Sequence, residues 1–391
     1  MKSMKWGILV LSLLVTSIAL AETPSQAIAV DCSQGQSLSA ALSKLNKQTF
    51  NTVTVNGTCT EYVQLIGFEN LTLKGLPGAA LMQPTTGKGN QFDSLLFIGS
   101  SHGVTIDGFS MQANTVITSV VAIGHGSTDI RLRHLDIQGG DLGISVFEQS
   151  QVSIAYVTAQ DPGFSTLGVF DLSDVHVERS AFKSSTGASF QIGLFIGTSH
   201  ITIYGTTISN MQIGIDAYAG SIIDVLTFTT YYSTTWPTNV VIENPAGTNN
   251  NGVTIDAGAL NVSSAKLFID KPGQTFGGTS GGVLISDGAS MTASNGNLVI
   301  LGSNGQGVMA LNNSHATLTG AIVTKGMHGG LVAANLSSID VSAGSNLTNV
   351  NGNSVDVFCD GSSKITGTVN LSGAPTTQCK DLLSAETVTL P

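Results

Sequence analysis

Residues able to do chemistry are few in this chain and unevenly placed. Only 10% of its 391 residues are charged, yet one stretch holds Asp107, Arg131, Arg133, His134, Asp136, Asp141, His176, Glu178 and Arg179. Four strings there alternate apolar and polar residues: VTID from Val104, IRLR from Ile130, VSIA from Val152 and VHVE from Val175. Strict alternation marks a half-buried strand. Aligned on one another, the strings place Arg131, Ser153 and His176 in one outward column, and Asp107, Arg133, Ala155 and Glu178 in the next. At the ~5 Å spacing of neighbouring strands, Asp107 can pair directly with Arg133, and Arg131 stands ~10 Å from His176.

That surface suits an anionic sugar chain. Arginines clamp carboxylates with two parallel hydrogen bonds. His176 or His134 can act as a general base, since imidazole titrates near neutral pH. In a lyase, an arginine or metal must stabilise the carboxylate beside the abstracted proton. His176, Arg131, Arg133 and Asp136 are thus the candidate catalytic residues, with Asp107, His134, Glu178 and Arg179 lining substrate. The competing reading is a solvated ladder of salt bridges, which contributes little. A second candidate lies in TFTTYYSTTWPTN, where Phe228, Tyr231, Tyr232 and Trp236 interrupt the surrounding pattern. Those rings either stack on sugar faces or seal a bulged segment against solvent.

The elements that position these residues recur. An apolar string followed by a Ser- or Gly-bearing corner begins at Leu96 (LFIGSSH), Val121, Ile144, Val169, Leu194 (LFIGTSH) and Ile215, then at Leu284, Met309, Val332 and Val357. Apart from one gap of 69 residues, the spacing is 21–25. The gap equals three periods, so two irregular coils are expected inside it. This is how a parallel β-helix is built, each coil resting on the last. Roughly 12 coils would make a rod about 55–60 Å long. The leucine-rich pattern of that period is missing, and no amphipathic helix interrupts the middle of the chain. The fold class is therefore all-β, a right-handed parallel β-helix.

Composition agrees. Hydrophobic residues reach 41% and fall in β-branched runs, so the 46 glycines and many Ser, Thr and Asn belong to turns rather than disorder. MKSMKWGILVLSLLVTSIALA has two lysines, an apolar core and a small-residue ending, the anatomy of a secretory signal over residues 1–21. Its removal takes the net charge from −10 to −12 through loss of Lys2 and Lys5. An acidic surface argues against nucleic acid as a partner, and no later stretch is apolar and long enough to span a bilayer. Secretion or retention in the periplasm follows.

Cysteines come as Cys32 and Cys59 near one end, Cys359 and Cys379 near the other. An even count in an exported chain suggests disulfides. Of three connectivities, Cys32–Cys59 with Cys359–Cys379 is the one that staples each terminus. Ser37 is placed to cap a short helix whose Leu38, Ala41, Leu42 and Leu45 share one face, and TVTV from Thr52 to begin the first sheet strand. The expected organisation is a cap and first coil over 22–66, the β-helix over 67–365, and a closing cap over 366–391.

DCSQGQSLSAALSKL, TVTVNGTC, the stacked coils and the closing SVDVFCDGSS…QCKDL resemble bacterial secreted right-handed β-helix proteins of the pectin-lyase-like superfamily. The resemblance covers nearly all of the chain after the signal. It implies a binding cleft along one sheet face, used by lyases, hydrolases and epimerases on polysaccharides. Their motifs are incomplete here. Gly124-His125-Gly126 is similar to the GHG element of polygalacturonases, but no adjacent Asp pair precedes it and Arg-Ile-Lys is missing. In the repeat, His125 falls at an ordinary corner. The strings that bind calcium in pectate lyases are missing too, so no cofactor or metal is assigned. Two functions remain: binding or processing of polysaccharide, by a lyase or glycoside hydrolase if enzymatic, or a non-catalytic adhesive surface rod.

Overall fold

The computed structural model describes residues 25–85, 93–114, 117–185, 191–226, 239–243, 251–270, 281–301, 306–324, 329–348, 355–372, 376–377 and 379. A representative coil begins with strand Ser94–Gly99, turns at Ser100 into Thr105–Asp107 and turns again at Gly108 into Ser110–Gln112. The chain then returns to Ser119–Gly124 one layer on. Neighbouring coils pair in parallel on every side. Three faces result. Face I is a sheet of thirteen strands, from Val63–Ile66 to Thr376–Thr377. Face II carries Thr105–Asp107 and its partners, and face III carries Ser110–Gln112 and its partners. Faces II and III merge into one sheet through the long strand Ser338–Thr348, which pairs with both stacks. This is the expected parallel β-helix.

Its core is a set of inward columns. Leu96, Val121, Ile144, Leu167, Leu194, Ile215, Val253, Val283, Val308 and Leu331 follow one another in register, and none is more than 1% exposed. The recurring corner serine has a structural reason. Ser101, Ser127, Ser150, Ser173, Ser199 and Ser221 are all buried. The Ser150 N–H donates to Ser173 Oγ at 3.2 Å, and the Ser173 N–H to Ser199 Oγ at 3.2 Å. The corner turns the backbone away from its ladder, and the next coil's hydroxyl accepts the orphaned N–H. Removing such an acceptor leaves a buried donor unpaired, so Ser173→Ala is expected to lose about 1–3 kcal/mol in denaturant unfolding. An unchanged midpoint would mean that water replaces the hydroxyl.

The corner also needs left-handed backbone. Ser100, His125, Glu148, Asp171, Thr198 and Ala219 all have φ between 47° and 57°. His125 is thus a corner residue, as the repeat predicts.

At the amino end a strand, Gln26–Asp31, precedes the expected first one and pairs with Asn51–Asn56. Between them the helix Leu38–Leu42 is capped by Ser37, whose side chain accepts from the Ala40 N–H at 3.1 Å. Glu61 also accepts at that turn, from the Leu38 N–H at 2.7 Å and the Ser39 N–H at 3.0 Å. Burial alone would raise the Glu61 carboxyl, but the bonds from Ser39, Ser37 and Leu38 hold it below its usual range. Cys32–Cys59 and Cys359–Cys379 are the disulfides.

The 69-residue gap holds one intermediate face I strand, not two: Ile215 pairs with Val253 and Val253 with Val283. Coil length is not fixed. The extra residues fall largely in 227–238, 244–250 and 271–280, which lie outside the described residues.

Candidate functional site

Face II places the charged cluster as the alternation predicts. Arg131 pairs with Thr105 and Ser153, Ser153 with His176, and Arg133 with Asp107 and Ala155. The side chains make other choices. Asp107 takes the His134 ring, Nδ1 to Oδ1 at 2.8 Å, instead of Arg133. His134 sits at the next corner (φ 48°), which brings its ring back over the neighbouring coil. Arg131 reaches Asp129 at 2.9 Å, both half-exposed. His176 lies 4.0 Å from Glu178. The nearby His176 ring, then the charges of Arg179 and Arg133, hold the Glu178 carboxyl below its usual range against the effect of burial.

Arg179 is buried at the same corner. Its Nη1 donates to the Tyr156 hydroxyl at 2.6 Å, and its guanidinium lies 5.6 Å from the Tyr156 ring centre and 5.8 Å from that of Tyr204. His134 stacks on Tyr156 at 5.1 Å. Guanidinium and rings together brace the corner between faces II and III. Asp136 opens the face III strand Asp136–Gln138 and is exposed. Face II therefore brings Asp107, Arg131, Arg133, His176 and Glu178 together as a ladder of local pairs along an exposed sheet, with His134 and Arg179 at its corner and Asp136 on face III. Tyr231, Tyr232 and Trp236, with Phe228, lie outside the described residues.

Face I holds a constellation that the alternation argument missed. Its outward column runs Phe97, Ala122, Ser145, Gly168, Phe195, Asp216, Thr254. Aromatic rings cluster along it. Phe195 meets Phe164 at 5.0 Å, Phe170 at 5.6 Å and Tyr218 at 5.3 Å, centre to centre. His125 lies between Phe97 and Phe147 and contacts Glu148 at 2.7 Å. Glycines let the rings lie against the sheet. A Cβ on Gly197 would come within 2.5 Å of the Tyr218 hydroxyl, and one on Gly168 within 2.6 Å of the Phe170 ring. Tyr218 is 37% exposed, so the strip is open to a ligand there.

Carboxylates adjoin the open end. Asp216 follows Phe195 in the outward column, and Asp256 pairs with Tyr218 on the next strand. Burial, then the charge of Asp256, pushes the Asp216 carboxyl up to about 6. Asp256 is raised too, by burial and by a hydrogen bond and like charge from Asp287. Asn312 Nδ2 donates to Asp287 at 2.8 Å and fixes that side chain. Two environments thus push neighbouring carboxyls above their ordinary range, a pattern common where acid–base chemistry is done. A metal fits less well. Among the described residues the one group with suitable geometry is Cys32, Cys59 and Glu61, and the disulfide takes both thiols. No helix among the described residues is long and apolar enough to cross a membrane.

The fold is a parallel β-helix. The sequence matches no protein-family model and no curated protein. Among solved structures it is similar to the catalytic unit of a thermostable GH87 alpha-1,3-glucanase from Streptomyces thermodiastaticus. The TM-score is 0.56 at 13% identity, over 91% of this chain and 71% of that one. It is also similar to a Bacillus pectate lyase in complex with trigalacturonate (TM-score 0.33, 10% identity, 74% and 82% covered). A third is PfbA, a surface adhesin of Streptococcus pneumoniae (TM-score 0.36, 13% identity, 90% and 91% covered).

Proposed function

We propose that this chain is an exported glycan-processing protein that binds a polysaccharide along the outer side of face I and hydrolyses it at Asp216. The observation that carries this reading is the alignment of Phe195, Tyr218, Asp216 and Asp256 on adjacent strands of one open surface. Flat aromatic rings stack on sugar faces, and a carboxyl beside them reaches the glycosidic oxygen. Asp216, held protonated below about pH 6, donates its proton to that oxygen as the anomeric C–O bond breaks. A water then attacks the anomeric carbon and gives its proton to the Asp256–Asp287 pair, leaving a new reducing end. The alpha-1,3-glucanase with the same fold supports a polysaccharide as partner.

Export rests on the apolar leader over residues 1–21 and on two disulfides, which persist in oxidising compartments. The processed chain would carry its amino-terminal cap over 22–66, the β-helix over 67–365 and the closing cap over 366–391.

A reducing-end assay of the purified chain against a broad panel of polysaccharides, with and without calcium, tests the reaction. New ends on at least one polymer are expected. Binding without new ends would favour the adhesive surface rod, and neither binding nor new ends would end the glycan reading.

A further inference from the structure

We infer that the face I strip takes an uncharged glycan and rejects polyuronates. This rests on the glycan reading above and names its substrate class. The thirteen strands of face I contain no lysine or arginine in their sequences. They do contain Asp216 and Asp256. Both edges add negative charge: Glu148, Asp171 and Asp287 at the corner, Asp93 and Asp141 at the entering side. Among the described residues every lysine and arginine stands elsewhere, and the one histidine at the strip, His125, contacts Glu148. Lys74, Arg131, Arg133, Arg179, Lys183, Lys266 and Lys364 belong to faces II and III, and Lys44 and Lys47 to the amino-terminal cap.

A chain of uronate units laid on this strip would set one carboxylate per sugar against fixed carboxylates, and among the described residues of face I there is no guanidinium or ammonium to accept it. Like charges at such range repel, more strongly near a low-dielectric surface. What the strip does offer is independent of ligand charge. Phe164, Phe170, Phe195 and Tyr218 present apolar ring surface to sugar C–H groups. The anionic chain suggested by Arg131 and Arg133 would have to bind on face II, around a corner from these rings.

The test compares matched polymers on the full chain. Uncharged glucans and mannans, the same polymers oxidised at C6 to uronates, and chitosan are titrated at low and high salt. The uncharged member is expected to bind with little salt dependence, and its oxidised form at least about tenfold more weakly at low salt. Tyr218→Ala should weaken both forms alike and leave their ratio unchanged, because ring contact does not depend on ligand charge. Equal or tighter binding of the oxidised polymer would overturn the inference while leaving the glycan reading intact. So would tighter binding of chitosan with a steep salt dependence. Failure of every polymer to bind would remove the glycan reading itself, and this inference with it.

Discussion

Replacing Asp216 with asparagine is expected to lower polysaccharide hydrolysis by about 10²–10⁴-fold, the usual contribution of a positioned general acid. The same substitution is expected to make the protein more stable. An aspartate with a folded value near 6 and an ordinary value of 3.8 holds its proton more tightly in the native state than in the unfolded chain. The native state is therefore penalised as pH rises from about 4 to about 6, and carries the full penalty above that. Asparagine has the same shape and no charge to desolvate. At neutral pH the gain should be about 1–3 kcal/mol, and below pH 4 it should vanish. Thermal melts of both proteins across this range measure it. Wild-type turnover should fall as pH climbs through about 6, since the acid must be protonated to act. A variant that keeps its activity, or melts lower at neutral pH, would make Asp216 structural. Loss of activity with gain of stability is the signature of a residue held for chemistry.

Loss of the amino-terminal disulfide should cost more than any single surface change. Cys32 and Cys59 are 27 positions apart in the sequence. Closing such a loop in the unfolded chain contributes about 3–4 kcal/mol. The loop contains the cap helix and lies over the first coil, with Leu38 and Leu42 buried against it. In a stack where each coil touches only its neighbours, loosening the end coil exposes a strand edge and lets unfolding start there. The Cys32→Ser, Cys59→Ser double variant should therefore unfold at lower denaturant and lose amide protection first over residues 26–75. Cys359–Cys379 spans 20 residues, so its removal should cost slightly less by loop entropy. An unchanged unfolding midpoint in the amino-terminal variant would show that Glu61 and the helix hold the cap without it.

How far the sequence carried differs between faces for a physical reason. On face II one side of each strand meets the core and the other meets water, so polarity alternates. Alignment of VTID, IRLR, VSIA and VHVE then gives the true register to the residue. On face I the strand Ser94–Gly99 is buried at every position, because Phe97 and its neighbours cover the outer side as well. Without alternation the strings align only to within two residues. Val169 reads as the equivalent of Ile144, whereas Leu167 is its partner. That slip breaks the outward column at Gly168, and although Phe195 and Asp216 stay aligned, an apolar string without alternation does not mark which side faces out. The legible signal was an excess of aromatic residues at one phase of an apolar string, in LFIG, SVFE, VFDL and DAYA. Side-chain pairing was less legible still. Register places Asp107 beside Arg133, but the left-handed corner at His134 decides which cation reaches it.

The account turns on which face meets the glycan, and titration of one bound oligosaccharide against two variants decides it. Tyr218→Ala removes exposed ring surface from face I, and Arg131→Ala removes the half-exposed Arg131–Asp129 pair from face II. Affinity is predicted to fall about tenfold or more in Tyr218→Ala, through lost ring contact, and to stay within twofold of wild type in Arg131→Ala. The reverse pattern, with Arg131→Ala weakened and Tyr218→Ala unchanged, would move the site to the charged ladder of face II and contradict the account.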